Sequence, residues 1–336
     1  MKKKVILNIE SVYTANAFQI GSDAFIAAGS ETKPEVYLYN LASGNSSLVT
    51  GCPGGVMSFI PVPGIPDLFF SIMGLFPPFI GSEAGVFMHR RLSDTWETQK
   101  TMDLPFAHRC EILHRNGKNY LFAASVSKHK ENPPDWSKPG EMYLICLEEN
   151  ISLPLKPEMI DNSLTRNHGM LRTKIEGTET ICISGAEGIF YFEQLPGDKW
   201  ALKPLFDKEV SEFGFFDLDG DGYDELVTIE PFHGEALNVY KRNGQNWELK
   251  FSDTLSFGHG LSCGFFNGEP VIVVGNRRGS FTLDLFKVID LAHGKFSRTV
   301  LEEDAGPTQT QVFTANGTDY ILSANQKKNE VTLYHL

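Results

Sequence analysis

Three histidines stand at equivalent points of a repeated pattern, where a polar turn leads into an apolar, strand-like segment. They are His108 in PFAHRCEIL, His168 in TRNHGMLRT and His259 in SFGHGLSCG, and His233 lies in the loop of TIEPFHGEALNVY. Neutral imidazoles that converge suit a divalent transition metal such as Zn²⁺ or Mn²⁺, with positions left open for substrate or water. We therefore predict that these four bind a metal, although a single histidine at such a point is more often an ordinary hydrogen-bonded residue.

A second candidate metal site is the acidic loop, DLDGDGYDEL, which runs from Asp217 to Leu226. Carboxylates at alternate positions, glycines for the tight turn and one backbone carbonyl form an oxygen cage for a hard cation. The predicted ligands are Asp217, Asp219, Asp221, the Tyr223 carbonyl and Glu225. We expect Ca²⁺ or Mg²⁺ here in a structural role, and the alternative is a polar β-turn without a metal.

Two further segments carry candidate substrate-binding residues. Arg277 and Arg278, in GNRRGS, can clamp a carboxylate or sugar hydroxyls, or form a solvated pair. The loop SVSKHKENPPDWSKPGE contains His129 and Trp136 and is either a lid over the substrate or a solvated insertion. Nucleophile-elbow, P-loop and Rossmann motifs are absent from the sequence, which disfavours covalent acyl chemistry and nucleotide-driven chemistry.

The elements that must position these residues are short β-strands. Strand-like segments recur between Gly, Asn, Asp and Pro turns, and seven units begin near residues 15, 55, 106, 166, 210, 257 and 306. Seven units in 336 residues give about 48 residues each, the length of a four-stranded propeller blade. We predict an all-β protein, a single seven-bladed β-propeller domain over residues 1–336. The N-terminal KKVILNIE is expected to supply the missing outer strand of the last blade and so to close the ring.

Composition excludes several classes of function. The formal net charge is −12, and such a surface repels a phosphate backbone, which disfavours nucleic acid as a partner. No apolar stretch approaches the length of a membrane helix, and the N-terminal apolar run is too short for a secretory signal. Five cysteines without a C-x-x-C pair indicate reduced, mostly buried thiols. We expect a cytoplasmic protein whose partner is a small molecule rather than nucleic acid or a membrane.

The acidic loop within a four-stranded unit resembles FG-GAP (VCBS-type) propeller repeats. EPFHGEALNVYK, the strand-start AHR and NHG, and DLDGDGYDEL together resemble the propeller domain of the aldos-2-ulose dehydratases, which act on keto sugars. The resemblance implies a metal-dependent carbon–oxygen lyase in which water or an alkoxide leaves β to a sugar ketone. It further implies that His108, His168, His233 and His259 form the metal and substrate cluster, and that residues 217–225 form the structural cation site.

In the reaction that this resemblance implies, a cation stabilises the enolate while a base removes the α-proton. The base is expected to be a histidine that is not bound to the metal, with His233 preferred and His108 next, and Glu230 as a supporting carboxylate. Tyr13 and Gln309 are expected to lie on loops, where either is a candidate proton donor to the leaving group. The alternatives are a non-catalytic propeller that binds carbohydrate or protein, and a polysaccharide lyase or glycosidase on the same fold.

Overall fold

The structure is a computed structural model that describes residues 1–77, 80–93, 95–148, 151, 153–244 and 246–336. Within these ranges the regular structure is β-strand, apart from one 3₁₀ turn at Gln326–Lys328. None of the described helical structure is long and apolar enough to cross a membrane.

Twenty-eight described strands alternate with tight turns along the chain. In chain order they are β1 Lys2–Asn8, β2 Val12–Ile20, β3 Asp23–Ser30, β4 Val36–Asn40, β5 Ser46–Thr50, β6 Ser58–Pro61, β7 Leu68–Met73, β8 Gly85–Leu92, β9 Thr95–Asp103, β10 Ala107–Arg115, β11 Lys118–Ser125, β12 Met142–Leu147, β13 Glu158–Asp161, β14 Met170–Ile175, β15 Thr178–Gly185, β16 Gly188–Leu195, β17 Lys199–Phe206, β18 Glu212–Phe216, β19 Glu225–Glu230, β20 Ala236–Asn243, β21 Asn246–Thr254, β22 Gly258–Phe266, β23 Glu269–Asn276, β24 Leu283–Asp290, β25 Lys295–Glu302, β26 Pro307–Ala315, β27 Thr318–Asn325 and β28 Glu330–His335.

The described strands form seven four-stranded sheets, as the sequence predicts. Six sheets each contain four consecutive strands, from β2–β5 to β22–β25, and the seventh has the order β1-β28-β27-β26. The N-terminal strand therefore supplies the outer strand of the last sheet, with Lys2 opposite His335 and Lys4 opposite Leu333. The first strand of each sheet begins within four residues of the unit start that the sequence predicts.

Burial explains why the second strand of each sheet reads as a continuous apolar run. Six consecutive residues of β23, from Val271 to Asn276, are buried, whereas β9 at the edge of its sheet mostly alternates between exposed and partly buried residues. A strand covered on both faces needs apolar side chains on both, while an edge strand needs them on one. The apolar runs thus mark the inner part of each sheet.

Contacts divide the chain into two compact units. The terminal unit comprises Met1–Ala17 and Val210–Leu336, and the central unit comprises Phe18–Glu209. The terminal unit has a core around Val227, Ile272 and Phe286, all essentially inaccessible to solvent. Separate cores in the central unit contain, among others, Phe122, Ile183 and Phe192 in one cluster and Val36, Phe69 and Phe87 in the other.

Charged contacts fix the N-terminal strand within the terminal unit. Lys3 Nζ lies 2.5 Å from Glu302 Oε1 and 3.0 Å from Glu330 Oε2. Glu302 also accepts hydrogen bonds from Lys328 and from the Tyr334 hydroxyl. Burial raises the pKa of the Glu302 carboxyl, but these hydrogen bonds outweigh it and hold the pKa below its ordinary value. Glu302 is thus an ionised acceptor that connects β25, β28 and β1.

The five cysteines are free thiols, but fewer are buried than the sequence analysis expects. Cys110 and Cys182 are buried and Cys263 is partly buried, whereas Cys52 and Cys146 are exposed. Burial raises the pKa of the Cys110 and Cys263 thiols to about 12. A buried thiol with a raised pKa is a weak nucleophile, so these cysteines are packing residues.

Candidate functional site

Three of the predicted histidines occupy the same structural position in their sheets. A residue with left-handed backbone lies two positions before each of them: Phe106 (φ +57°), Arg166 (φ +57°) and Phe257 (φ +58°). This turn leads into the innermost strand of the sheet. His108 and His259 are the second residues of β10 and β22, and His168 lies two residues before β14. His108, His168 and His259 are all buried, with at most 3% of their surface exposed.

Tyr13 and Thr308 occupy this position in two other sheets. Ser11 (φ +51°) precedes Tyr13 by two residues, and Gly306 (φ +59°) precedes Thr308 by two residues. The sequence analysis aligned the histidines but missed the equivalence of Tyr13 and Thr308. Tyr13 and Thr308 are the second residues of β2 and β26, so Tyr13 lies in a strand and not on the predicted loop. A hydroxyl-bearing residue two positions after a turn residue, at the start of an inner strand, is the signal that could have found them.

The strand-start position is also a β-bulge in several sheets. The register between β10 and β11 shifts at His108, that between β22 and β23 shifts across His259, and that between β26 and β27 shifts at Thr308. A bulge leaves one residue out of the ladder and re-aims its side chain, and bulges are frequent beside active sites. The side chains at this position are therefore free of the regular alternation of their strands.

In the terminal unit the rings of His233 and His259 stack. Their centroids are 5.0 Å apart with an interplanar angle of 23°. His233 also stacks on Phe232, at 4.0 Å, and contacts Phe257, at 4.8 Å. His233 is partly exposed whereas His259 is 1% exposed, so His233 is the more accessible of the two.

The turn that carries His233 is unusually tight. His233 has a left-handed backbone (φ +50°), which costs a non-glycine residue roughly 1 kcal/mol or more. A Cβ on Gly234 would lie 2.1 Å from the Glu230 carbonyl oxygen, so this position requires glycine. Gly234 thus permits the tight turn after His233, because a side chain at this position would clash with the Glu230 carbonyl oxygen.

The hydrogen bonds of His259 define its tautomer. Nδ1 lies 2.6 Å from the Thr308 carbonyl oxygen, and Nε2 lies 3.1 Å from the Tyr13 hydroxyl. A carbonyl can only accept, so Nδ1 carries the proton and the Nε2 lone pair of the neutral ring faces Tyr13. A backbone acceptor on one nitrogen is also the usual way in which metal-binding histidines are oriented.

Thr308 fixes Tyr13 as well as His259. Its hydroxyl donates a 2.6 Å hydrogen bond to the Tyr13 carbonyl oxygen, and Thr308 is 2% exposed. The Tyr13 ring meets the His259 ring edge-on, with centroids 5.5 Å apart. One buried threonine therefore sets the positions of both partners of the Tyr13–His259 hydrogen bond.

The predicted arginine pair lies beside this cluster in the terminal unit. The Arg277 guanidinium lies 5.9 Å from the centroid of the Tyr13 ring and donates a hydrogen bond to the Gln326 side chain. The Arg278 guanidinium lies 4.6 Å from the centroid of the Phe257 ring. Both distances allow cation–π attraction, which orients the charges without neutralising them.

In the central unit His108 and His168 pack against each other. Their ring centroids are 4.4 Å apart with an interplanar angle of 33°. Arg109 connects the two strand starts, because its Nε donates to the His168 carbonyl oxygen at 3.0 Å and its guanidinium also donates to the Met57 carbonyl oxygen at 3.1 Å. Each unit thus contributes a contacting pair of the predicted histidines.

Glu230 makes hydrogen bonds that the sequence analysis did not anticipate. Its carboxylate accepts hydrogen bonds from the Thr228 hydroxyl, at 2.5 Å, and from the Tyr240 hydroxyl, at 3.0 and 3.2 Å. These contacts hold the carboxylate at the end of β19, three residues before His233. Its support of His233 stays a prediction.

The loop that contains His129 and Trp136, in the central unit, makes contacts within itself. Lys130 Nζ lies 3.2 Å from the centroid of the Trp136 ring, and burial lowers the pKa of Lys130 to about 8. The Asp135 carboxylate accepts from the Ser137 backbone, and His129 is exposed. The structure gives Trp136 a partner within the loop, and substrate contacts of His129 and Trp136 stay predictions.

The acidic loop brings the predicted carboxylates together around a lysine. Ligand oxygens of Asp217, Asp219 and Glu225 lie within 4.8 Å of one another. Lys241 Nζ lies 2.5 Å from Asp219, 2.8 Å from Asp221 and 3.0 Å from Glu225. Burial works against the charge of Lys241, but the three hydrogen bonds outweigh it and raise its pKa above the ordinary value.

This arrangement fits a cation. The protein itself supplies a cation there, the Lys241 ammonium, which the sequence of the loop does not reveal. The Glu225 side chain is fully buried, and Leu218 N donates to its Oε2 at 2.8 Å. Asp217 instead accepts from the Gly220 and Gly222 backbone amides, and Tyr223 is 75% exposed. The predicted Ca²⁺ or Mg²⁺ stays a prediction, with the Lys241 ammonium as its competitor for the carboxylates.

Solved structures with similar folds complete the description. The β-propeller domain of Cps50 (Swd1) from Myceliophteria thermophila is 9% identical to the chain with a TM-score of 0.61, and the match covers 96% of this chain and 100% of that one. The fold is a β-propeller. The seven sheets are therefore its blades, as the sequence predicts.

Two other structures agree with this fold. A chain of the mitotic checkpoint complex has 12% identity and a TM-score of 0.61, covering 99% of this chain and 93% of that one. A Bacteroides uniformis protein, provisionally assigned as a 6-phosphogluconolactonase, has 12% identity and a TM-score of 0.60, covering 90% of this chain and 87% of that one. No protein-family model and no curated protein sequence matches the chain. Identities this low establish the fold alone.

Proposed function

We propose that the protein is a metal-dependent carbon–oxygen lyase that performs β-elimination on a keto sugar or keto-glycoside. The observation that carries the proposal is the fixed tautomer of His259, whose Nδ1 proton is bound by the Thr308 carbonyl beside the stacked His233 ring. An oriented imidazole lone pair next to a more accessible second imidazole suits metal binding combined with proton transfer.

The metal ligands in this proposal come from the set His108, His168, His233 and His259, and the member of the set that does not bind the metal is the candidate for the base. Propeller blades surround a central channel, so residues that begin the innermost strands of different blades are candidates for one shared site. His108, His168 and His259 begin such strands, and His233 stacks on His259. Zn²⁺ or Mn²⁺ suits an imidazole set, and such an ion would act as a Lewis acid on the ketone oxygen.

The remaining roles belong to side chains of the terminal unit, apart from that of His108 in the central unit. His233 is the proposed base, because it is the more exposed ring of its pair and an imidazole transfers protons near neutral pH. His108 is the second candidate for the base, and Glu230 is the proposed supporting carboxylate. Arg277 and Arg278 are proposed to bind hydroxyl or carboxylate groups of the substrate through guanidinium N–H groups other than Arg277 Nη2, which donates to the Gln326 side chain.

The lid of the central unit is part of the same proposal. His129 and Trp136 lie in the loop that is proposed to cover the substrate, where an indole face suits packing against a sugar ring. The acidic loop is proposed to have a structural role, in which Ca²⁺ or Mg²⁺ binds the Asp217–Glu225 loop when Lys241 withdraws. The resemblance of this loop and of EPFHGEALNVYK to FG-GAP repeats and aldos-2-ulose dehydratases supports the assignment.

The test is formation of an enone from 3-keto glycosides by the purified full chain, followed by ultraviolet absorbance with and without added Zn²⁺ or Mn²⁺. A ketone at C3 makes the C2 hydrogen acidic, and the glycosidic oxygen at C1 is then in the β position. We expect metal-dependent turnover that falls about 100-fold or more in His233→Asn. His114→Gln is the matched control, because His114 is an exposed strand residue bonded to Asn119. Absence of an enone from 2-keto and 3-keto substrates with either metal would overturn the proposal.

A further inference from the structure

We propose that Tyr13 is the catalytic acid that protonates the departing oxygen of the substrate. This inference rests on the proposed elimination. Tyr13 lies at the start of an innermost strand, two residues after a left-handed turn residue, which is the position that His108, His168 and His259 have in their sheets. A phenol is a stronger acid than an alcohol or water, and its ring is already held between His259 and the Arg277 guanidinium.

The hydrogen bond between Tyr13 and His259 gives the phenol its direction. His259 Nδ1 is protonated because it bonds the Thr308 carbonyl, so Nε2 accepts and the Tyr13 hydroxyl is the donor, at 3.1 Å. The phenolic proton therefore points at the lone pair that a metal would use. A lone pair serves one partner at a time, so the Tyr13 hydroxyl would lose this acceptor and be available to the substrate if Nε2 held a metal.

Gln309, the other residue that the sequence suggests as a proton donor, is engaged elsewhere. Its Oε1 accepts from the Thr14 hydroxyl at 2.5 Å and from the Ala15 amide at 3.2 Å, and its Nε2 donates to Asn16 at 3.3 Å. An amide is also no proton donor in acid catalysis. Gln309 thus connects β26 to β2, and Tyr13 remains as the acid within this cluster.

Every proton that moves in the proposed step has a donor and an acceptor within the site or the substrate. His233 takes the proton from the carbon α to the ketone, and that electron pair forms the carbon–carbon double bond as the bond from the β-carbon to oxygen breaks. The departing oxygen takes the Tyr13 proton and leaves as an alcohol or water. The proton on His233 then returns to the Tyr13 phenolate, so the enzyme is regenerated without an external acid or oxidant.

Tyr13→Phe tests this role through the leaving group. Removing the acid should slow elimination of methanol from a methyl 3-keto glycoside by about 100-fold or more, and should slow elimination of p-nitrophenolate little, because that anion needs no protonation. A merely structural defect would slow both substrates equally. The matched control is Tyr39→Phe, a tyrosine that is also 3% exposed but lies in β4.

A second measurement does not depend on turnover. Because the Tyr13 hydroxyl competes for Nε2 of His259, Tyr13→Phe should bind Zn²⁺ about fivefold more tightly in calorimetry, as loss of one competing hydrogen bond allows. Weaker Zn²⁺ binding would make Tyr13 a ligand and overturn the acid role. Equal loss on both substrates would overturn it as well. If the unaltered protein forms no enone, the proposed elimination is wrong. If the unaltered protein is active but Tyr13→Phe slows both leaving groups equally, only the proposed role of Tyr13 is wrong.

Discussion

The Thr308 hydroxyl donates a 2.6 Å hydrogen bond to the carbonyl oxygen of Tyr13, across 295 positions of sequence. The Thr308 carbonyl in turn accepts the Nδ1 proton of His259. A single residue of β26 therefore positions a phenol on β2 and an imidazole on β22. Geometry at the candidate site depends on this residue although it has no chemistry of its own.

Thr308→Val should impair the site through Tyr13 and leave His259 in place. The substitution keeps the side-chain shape and the backbone carbonyl but leaves the Tyr13 carbonyl without its donor, at a cost of about 1 to 3 kcal/mol in unfolding free energy. We expect slower elimination of alkoxide leaving groups without loss of Zn²⁺ affinity. Thr310→Val is the control on the same strand. Loss of Zn²⁺ affinity in Thr308→Val alone would contradict this division of roles.

Lys241→Met should convert the acidic loop into a cation-dependent element. Without the ammonium, the buried Glu225 and its neighbours repel one another, and we expect a loss of about 2 kcal/mol in unfolding free energy in chelator, after allowance for the 27% exposure of Lys241. Ca²⁺ should restore that loss and raise Tm more than in the unaltered protein. Lys250→Met, whose partner Glu248 is exposed, is the control. A Tm that ignores both the substitution and Ca²⁺ would count against the loop as a cation site.

His89 should make the protein less stable in mild acid. It is fully buried between the Ser71 and Thr98 hydroxyls, and burial lowers its pKa to about 3 from 6.5. Below pH 6.5 the unfolded chain therefore binds a proton at His89 that the folded protein does not bind. The contribution of neutral His89 to the unfolding free energy is complete above pH 6.5 and is lost as the pH falls towards 3. We expect a slope of up to about 1.4 kcal/mol per pH unit below pH 6.

Urea unfolding at several pH values measures that slope, and His89→Gln should reduce it. Because this variant also disturbs the core, NMR of the unaltered protein provides an independent check. The His89 ring signals should not titrate between pH 7 and pH 5. Titration of His89 in that range would show that the folded protein admits the proton, and the predicted slope would then be wrong.

Glu302→Gln should loosen the N-terminal strand. The folded pKa of Glu302 lies below its ordinary value of 4.5, so its contribution to stability is complete above that pH and is lost as the pH falls further. Removing the charge weakens the hydrogen bonds from Lys3, Lys328 and Tyr334. We expect about tenfold faster hydrogen exchange of the β1 amides. Glu330→Gln, which leaves Glu302 intact, should accelerate exchange less. Equal acceleration by the two substitutions would contradict the claim that Glu302 is the main anchor of β1.

Periodicity made the sheets predictable, because inner strands are buried on both faces and the turns between them need Gly, Asn or Asp. The histidines could be aligned for the same reason. Tyr13 was named as a possible proton donor but could not be aligned with the histidines, since an aromatic residue in a strand usually marks packing. Its proposed role rests on a hydrogen bond to a residue 246 positions away. Lys241 could not be predicted because it lies in β20, far along the chain from the acidic loop. Thr308 could not be predicted because it contacts His259 through its backbone carbonyl, which every residue has.

Metal content of the purified full chain tests the proposed site most directly. We expect one equivalent of a transition metal per chain by elemental analysis, and a Co²⁺-substituted protein with the visible absorption of imidazole coordination. His259→Ala and His168→Ala, one from each unit, should each lose the metal while His89→Gln and His114→Gln retain it. A folded protein that binds no transition metal, or that retains it in both His168→Ala and His259→Ala, would contradict the site.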